Sequence, residues 1–453
     1  MIARITDYYH SHDYPLARAL IPAQTIQDGV VNIDIIEARY GQISLNNSSR
    51  VNDPLLQATL ASLQNGQTIG QTRLDNALLL LSDIPGVTVA ATLLPGASGG
   101  SSDLQVQTTP TSTVSGALAV DGYGNAYTGR ERINGTLNFI NPLQHGDVLS
   151  VNVLSSGSAL KYGRLAYETL LNGRGTRLGG AWSALDYTLG DTLAPLSANG
   201  TAEVASLWAK HPLVRSRNFN LYSHLQHDQL QLRDHIDVGA LRTDRSLANW
   251  TVSLAGDARD GFLSGAVSAW NISATAGQVD FDNAVALQTD TATAQTRGNF
   301  SKWNVNLARL QTLSANDGLY FAFSGQWSQE NLDSSQKMTA GGPYTVRAYD
   351  MGAVAGDSGY LGTLELRHAL GQALRGQGQL VAFVDSQHVT INQNPWSPGD
   401  NNVTLSGAGI GLNWAGPGQW SAKASVATPI GTTPVQAEDT ASTRIWIEIS
   451  TRF

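Results

Sequence analysis

Residues Gly356-Asp357-Ser358-Gly359 carry the letters that surround the nucleophile of many trypsin-like proteases. A serine nucleophile needs a base, an acid that orients that base, and an oxyanion hole. The chain has nine histidines, and none lies in a signature that pairs it with an orienting aspartate. Glycine and aspartate together are ordinary turn chemistry, so the tetrapeptide reads as a loop entering a strand. His224, His227, Asp228 and His235 are the nearest thing to a metal cluster. On a strand, positions 224 and 227 point to opposite faces, which separates the ligands. The glycine pattern from Asp121 to Gly129 is followed by no helix and so cannot cradle a phosphate. No metal, no cofactor and no enzymatic activity are expected.

The composition narrows the class further. Charged residues make up 14% of the 453 and hydrophobic residues 42%, with 46 glycines. Soluble domains carry about 25% charged residues, so much of this surface must face something other than water. No window approaches the roughly 18 apolar residues of a spanning helix; the longest run, Ala77 to Leu81, is one end of an amphipathic helix. A membrane location would therefore require a closed barrel, because hydrocarbon tolerates no unpaired strand edge. A net charge of −8 argues against a nucleic-acid partner, which would call for a basic patch. The absence of cysteine excludes a disulfide framework and thiolate metal sites, and fits the periplasm or cell surface. The N-terminus lacks an apolar signal core, so the natural chain is expected to begin further upstream.

Two regions differ in periodicity. Over residues 1–108 the pattern is mixed. Val31, Ile33 and Ile35 alternate as in a half-buried strand. Leu56, Leu60 and Leu63 share a helical face with Asp53-Pro54 as cap and first position, and Leu74, Leu78 and Leu81 repeat that logic up to Pro85-Gly86. Two strands follow, giving strand, helix, helix, strand, strand over 41–108. From about Thr113 helical periodicity is lost. Segments of about ten residues alternate between apolar and polar, the signature of an outer-membrane barrel with short turns on one side and longer loops on the other. In the last segment Ile445, Ile447, Ile449 and Phe453 share one side, and Arg444, Trp446, Glu448 and Ser450 the other. The count is about sixteen strands, an even number as such barrels require, and a lumen too wide for its own side chains to fill.

The stretch "GGPYTVRAYD…GDSGYLGTLELRH" resembles the glycine-rich loop, with its VRGY/F-type tip, of two-partner secretion transporters. "LARALIPAQTIQDGVVNIDIIEA", "LQNGQTIGQTRLDNALLLLSDIPGV" and "LLPGASGGSSDLQV" resemble that family's polypeptide-transport-associated (POTRA) domains. The resemblance implies a transmembrane β-barrel of sixteen strands behind small α/β periplasmic domains: a partial first POTRA domain at 1–40, a second at 41–108, and a barrel at 113–453. Its sixth extracellular loop, about 331–357, would fold back into the lumen. The tip reads Val346-Arg347-Ala348-Tyr349, with Ala where Gly is usual. The family's F-x-D-x-G strand motif appears as Phe383 to Gln387, with Gln in place of Gly.

The resemblance implies that Arg347 pairs with Asp385 to anchor the loop, beside Val346, Tyr349 and Phe383. Phe453 is implied as the C-terminal signal for barrel assembly. Exposed Gln71, Arg73 and Asn76 are the candidate substrate-binding surface of the second POTRA domain, whose edge strands could accept an extended segment. The implied function is secretion of a large exoprotein with an N-terminal secretion domain (an adhesin, haemolysin or contact-dependent inhibition toxin) across the Gram-negative outer membrane without ATP. Other implied partners are outer-membrane lipid, the barrel assembly machinery and periplasmic chaperones. The alternatives are an insertase of the same superfamily and a passive porin, which would have no need of residues 1–108.

Overall fold

The computed structural model describes residues 1–26, 28–437 and 442–453. The chain opens with α1 (Ile2–Ser11), β1 (Arg18–Leu20) and β2 (Asp34–Ile36), which pair as a two-stranded sheet. β2 is only three residues long and fully exposed, with Ile35 and Ile36 each 41% accessible. The half-burial expected around 31–36 is absent, because no layer covers a two-stranded sheet.

Next come β3 (Arg39–Asn47), α2 (Asp53–Leu60), α3 (Gln71–Ser82), β4 (Val87–Pro95) and β5 (Ser101–Pro110). Their sheet runs in the order β3-β5-β4, with β5 parallel to β3 and antiparallel to β4. Leu56, Leu60, Leu63, Leu74 and Leu81 pack against Tyr40, Leu104 and Val106, and Leu78 is only half-buried. The cap of α2 is Asn52, not Asp53: its Oδ1 accepts from the Leu55 N–H at 3.1 Å. Asn52 has the extended backbone an N-cap needs. The Asp53 carboxylate instead accepts from Asn47 at 2.6 Å.

The rest closes into a barrel of sixteen antiparallel strands. They are β6 (Val114–Asp121), β7 (Arg132–Ile140), β8 (Val148–Ser155), β9 (Leu160–Leu170), β10 (Arg177–Thr188), β11 (Ala198–Arg215), β12 (Phe219–Ile236), β13 (Leu241–Asp260), β14 (Ala266–Phe281), β15 (Gly298–Thr312), β16 (Asp317–Ser328), β19 (Ser358–Ala373), β20 (Gly376–Thr390), β21 (Asn402–Ala415), β22 (Trp420–Pro429) and β23 (Arg444–Arg452). β17 (Met338–Ala340) and β18 (Val354–Gly356) form a separate hairpin in the long connection between β16 and β19. β23 pairs with β6 and closes the ring.

Alternation sets which way each side chain points. Trp182, Leu207, Trp250, Trp303, Phe321 and Ile445 project outward into an apolar belt. Helical structure does persist beyond Thr113. α4 (Ala284–Ala292) caps itself on Asn283, whose side chain accepts from the Ala286 N–H at 2.7 Å. Only Ala286 and Asp290 of α4 are buried, so it presents almost no apolar stripe to read.

α2 and α3 lie against the short turns at one rim. Asp83 meets Arg215 through two hydrogen bonds of 2.7 and 2.9 Å, and Asp75 pairs with Arg217 at 2.6 Å. Gly173 admits this approach, since a Cβ there would fall 2.3 Å from the backbone of Ala58. The long connections lie at the opposite rim.

Candidate functional site: the lumenal loop

Residues 329–357 leave β16 at the far rim and turn back into the barrel. The β17–β18 hairpin forms the stem, and Gly341 and Gly342 turn the chain at its end with φ of 90° and 115°. A Cβ on Gly341 would fall 2.2 Å from the carbonyl oxygen of Asp350, so the tip closes this tightly only on glycine. Ala348, where the family has Gly, is absent from the residues with positive φ. Its methyl faces Gly407 of β21 instead, where a Cβ would lie 2.4 Å away.

The tip is anchored first by apolar burial. Val346, Ala348 and Tyr349 are fully buried in one cluster with Leu361, Val381, Phe383, Val389, Val403 and Leu405. These wall residues point into the lumen, where water would normally demand polar groups. The signal is legible in "LVAFV" at 380–384: both faces of β20 are apolar, so its inner face must be covered.

Charge adds direction. Asp385, with no exposed surface, accepts from Arg347 Nε and Nη2, each at 2.8 Å, and from the Arg347 backbone N–H at 3.2 Å. Thr363 Oγ1 donates to the same carboxylate at 3.0 Å. Arg347 Nη1 donates to Glu365 at 2.7 Å, and Glu365 also accepts from Arg367 at 2.9 and 2.6 Å. The Arg347 guanidinium lies 3.4 Å from the centre of the Phe383 ring, within cation–π range. Burial opposes its charge, yet hydrogen bonds and charge from Asp385 and Glu365 hold its pKa above the usual arginine value.

The structure thus brings Val346, Arg347, Tyr349, Phe383 and Asp385 together. Sequence reasoning missed Glu365 and Arg367, although Thr363, Glu365 and Arg367 alternate with Leu364 and Leu366 on one strand face. It also missed the role of Gln387, which is fully buried and donates to the Thr339 carbonyl at 3.0 Å. Where the family motif has Gly, this chain has a tether for the loop stem.

The Gly-Asp-Ser-Gly tetrapeptide lies where the loop enters the twelfth barrel strand. Asp357 is fully buried and pairs with Lys337 at 2.9 Å. Ser358 Oγ accepts from the Ser328 N–H at 3.0 Å. His224 and His227 are separated as their spacing requires: His227 lies 4.6 Å from the outward Trp250 ring, and His224 lies within reach of Ser253 on the lumenal side.

Gln71 is half-buried and Arg73 exposed, with Arg73 donating to Gln67 at 3.0 Å. Asn76 does not show the expected exposure. Its Nδ2 donates to the Arg215 carbonyl at 3.0 Å, because α3 turns that side against the barrel rim. Phe453 is 64% exposed, its backbone exchanges hydrogen bonds of 2.8 and 3.1 Å with Gly116, and its ring covers that glycine.

The loop tip covers the inner β19–β22 wall, and its first limb reaches the opposite side, where Leu332 packs with Leu232, Leu247, Val279 and Phe300 and Asp333 pairs with Arg245 at 2.5 Å. Arg164, Gln226, Asp228, Asn249, Lys302 and Asn304 border an open cavity of about 570 Å³ along β9–β15. A sequence profile described as haemolysin secretion/activation protein ShlB/FhaC/HecB matches residues 100–414. The chain belongs to this family.

It is an outer-membrane transporter of the two-partner secretion type, its barrel in the membrane, and it secretes a partner protein. A ShlB-type POTRA profile matches residues 1–38, consistent with a periplasmic N-terminal region. The heme/hemopexin transporter protein HuxB of Haemophilus influenzae (strain 86-028NP) is 27% identical over 433 residues, covering 94% of this chain and 76% of that protein. The outer membrane transporter CdiB of Escherichia coli is 24% identical over 428 residues, covering 90% and 69%. The solved CdiB structure from Escherichia coli matches the fold with a TM-score of 0.79 at 20% identity, over 100% of this chain and 83% of that one. BamA from Haemophilus ducreyi lacking POTRA domains 1–3 matches with 0.62 at 17% identity, over 100% and 92%.

Proposed function

We propose that the loop at 331–357 is the gate of this transporter and that the Arg347–Asp385 pair holds it in a transport-competent position. A buried ion pair contributes little net stability but can fix registry. The observation that carries this reading is the division of the lumen: the loop tip binds the β19–β22 wall, its first limb is tied to β13 and β15 through Asp333–Arg245 and Gln336–Lys302, and a polar stretch of the β9–β15 wall stays open. An extended polypeptide would travel along the polar wall as the loop shifts. Direction comes from folding outside, without ATP. The transporter catalyses no covalent step, and the Ser358 hydroxyl stays bound within its strand junction.

In the same reading, residues 1–40 belong to a first POTRA domain, 41–108 are a second, and 113–453 the barrel. The second domain receives the exoprotein's N-terminal secretion domain through Gln71, Arg73 and the free edge of β4. The exoprotein is an adhesin, haemolysin or contact-dependent inhibition toxin. Phe453, ending the last strand beside Gly116, is read by the barrel assembly machinery after periplasmic chaperones deliver the chain.

The test is secretion of the partner by cells carrying Asp385→Ala. Secretion is expected to fall at least tenfold while the barrel keeps its folded, heat-modifiable migration in detergent gels. Unchanged secretion would remove the anchor from the mechanism.

A further inference from the structure

β6 and β23 close the barrel with few paired residues. Their ladder covers Ala117–Asp121 against Glu448–Arg452, five positions, whereas β6–β7 and β22–β23 each pair eight. Gly116 and Phe453 exchange two further bonds at the near end, and one from Gly122 N–H to the Ile447 carbonyl at 3.0 Å ends the contact at the far end. Beyond it the first strand turns away and Gly124 bonds to Arg130. At the far rim, then, Arg444, Ile445 and Trp446 have no β6 partner.

The loop tip occupies that place. Trp446 Nε1 donates to the Arg347 carbonyl at 2.7 Å. Tyr123, from just after β6, makes edge contacts with Tyr344 of the loop and Trp446 of β23, with centroids 5.6 and 6.0 Å apart. Asp350 binds both sides of the seam. Its Oδ1 accepts from Arg130 at 3.0 Å, and its Oδ2 accepts from Arg444. Arg130 belongs to the connection after the first strand, Arg444 to the last strand.

We propose that Asp350 is a positioning residue that staples the loop across the seam, so that withdrawing the loop also releases the far half of the first-to-last strand junction. This extends the gate reading, since the loop would govern barrel closure as well as lumen access. One carboxylate shared by two arginines on opposite edges is a charge-assisted bridge, and its loss frees both edges together. Neutralising Asp350 while keeping its shape should therefore loosen β6 and β23 without disturbing β20 or β21.

The experiment uses the purified full chain in detergent, with no exoprotein present, and so is independent of the secretion assay for Asp385. Asp350→Asn is expected to accelerate amide hydrogen exchange at residues 117–122 and 445–450 by about tenfold, with residues 380–389 unchanged. In planar bilayers it is expected to increase large conductance openings. Because the chain has no cysteine, the facing pair Ala119→Cys and Ser450→Cys can lock the seam by oxidation, which should suppress those openings until reductant is added. Arg130→Gln removes one leg from a partly exposed site and should give a smaller change of the same kind, which covers the case in which Asp350→Asn fails to fold. Unchanged exchange at 117–122, or openings that persist through the oxidised lock, would overturn the proposal.

Discussion

Asp385 receives four hydrogen bonds, three from Arg347 and one from Thr363. Together with Glu365 and Arg367 it forms a cluster of two carboxylates and two guanidiniums, neutral as a whole. Removing one carboxylate leaves a positive charge on a side chain that is only 14% exposed, and breaking such a buried pair costs about 3–5 kcal/mol. The cost should fall on loop docking, because the barrel ladder does not pass through Arg347. Asp385→Asn should shift the docked-to-released ratio by at least about a hundredfold at 1.4 kcal/mol per tenfold, read as the cleavage rate of the loop by an added protease. Glu365→Gln should shift it less, since Glu365 retains 10% of its side-chain exposure and Asp385 none. Gly407→Val tests the steric half of the anchor. Its side chain would drive into the Ala348 methyl, 2.4 Å from the Cβ position, and should release the loop with every charge intact. A Gly407→Val protein whose loop resists cleavage as the parent does would show that the charges alone hold the tip.

At the scale of elements, legibility followed the solvent. Strands facing lipid on one side and the lumen on the other must alternate, so β23 with its Ile445-Ile447-Ile449 row could be read directly. The alternation around Ile33 and Ile35 marked the strand of β2 but not its exposure, because nothing covers a two-stranded sheet, and α4 could not be read, because it buries only two of its residues. The Arg347–Asp385 pair was legible through motif resemblance, whereas Glu365 and the Asn76 contact depend on which face meets a distant part of the chain. α3 shows the consequence. Asp75 and Asp83 join it to Arg217 and Arg215 on one periplasmic turn of the barrel. Exposed pairs are worth about 0–1 kcal/mol each, so Asp83→Ala should leave global stability nearly unchanged. Asp75 is the more buried of the two, and pairing Asp75→Ala with Asp83→Ala should uncouple the helix from the rim. Amide exchange in α3 should then rise severalfold with barrel exchange unaltered; equal exchange would leave the docking to the Asn76–Arg215 hydrogen bond and the close approach of Ala58 to Gly173.

The whole molecule sets an asymmetric plug in a barrel wide enough to conduct. Sixteen-stranded barrels leave an aqueous channel unless something occupies it, and here the loop tip covers the β19–β22 wall, the loop's first limb rests on β12–β15, and a polar cavity along β9–β15 stays open. Such a division predicts a graded response to loop removal. Deleting Pro343 to Met351 removes Arg347, Tyr349 and Asp350 together, exposes the inward Val381, Phe383 and Leu405, and severs the seam staple. Single-channel conductance of that protein should rise severalfold over the intact chain and lose its brief closures. Secretion should fall, because the moving chain would then meet an apolar wall in place of a docked loop, and a wider pore alone would not compensate. A deletion that conducts more and secretes as well as the parent would reduce the loop to a plug, with transport set by pore width. The opposite pattern, high conductance with lost secretion, requires the loop to take part in guiding the chain, which the charge-fixed placement of its tip on β20 equips it to do.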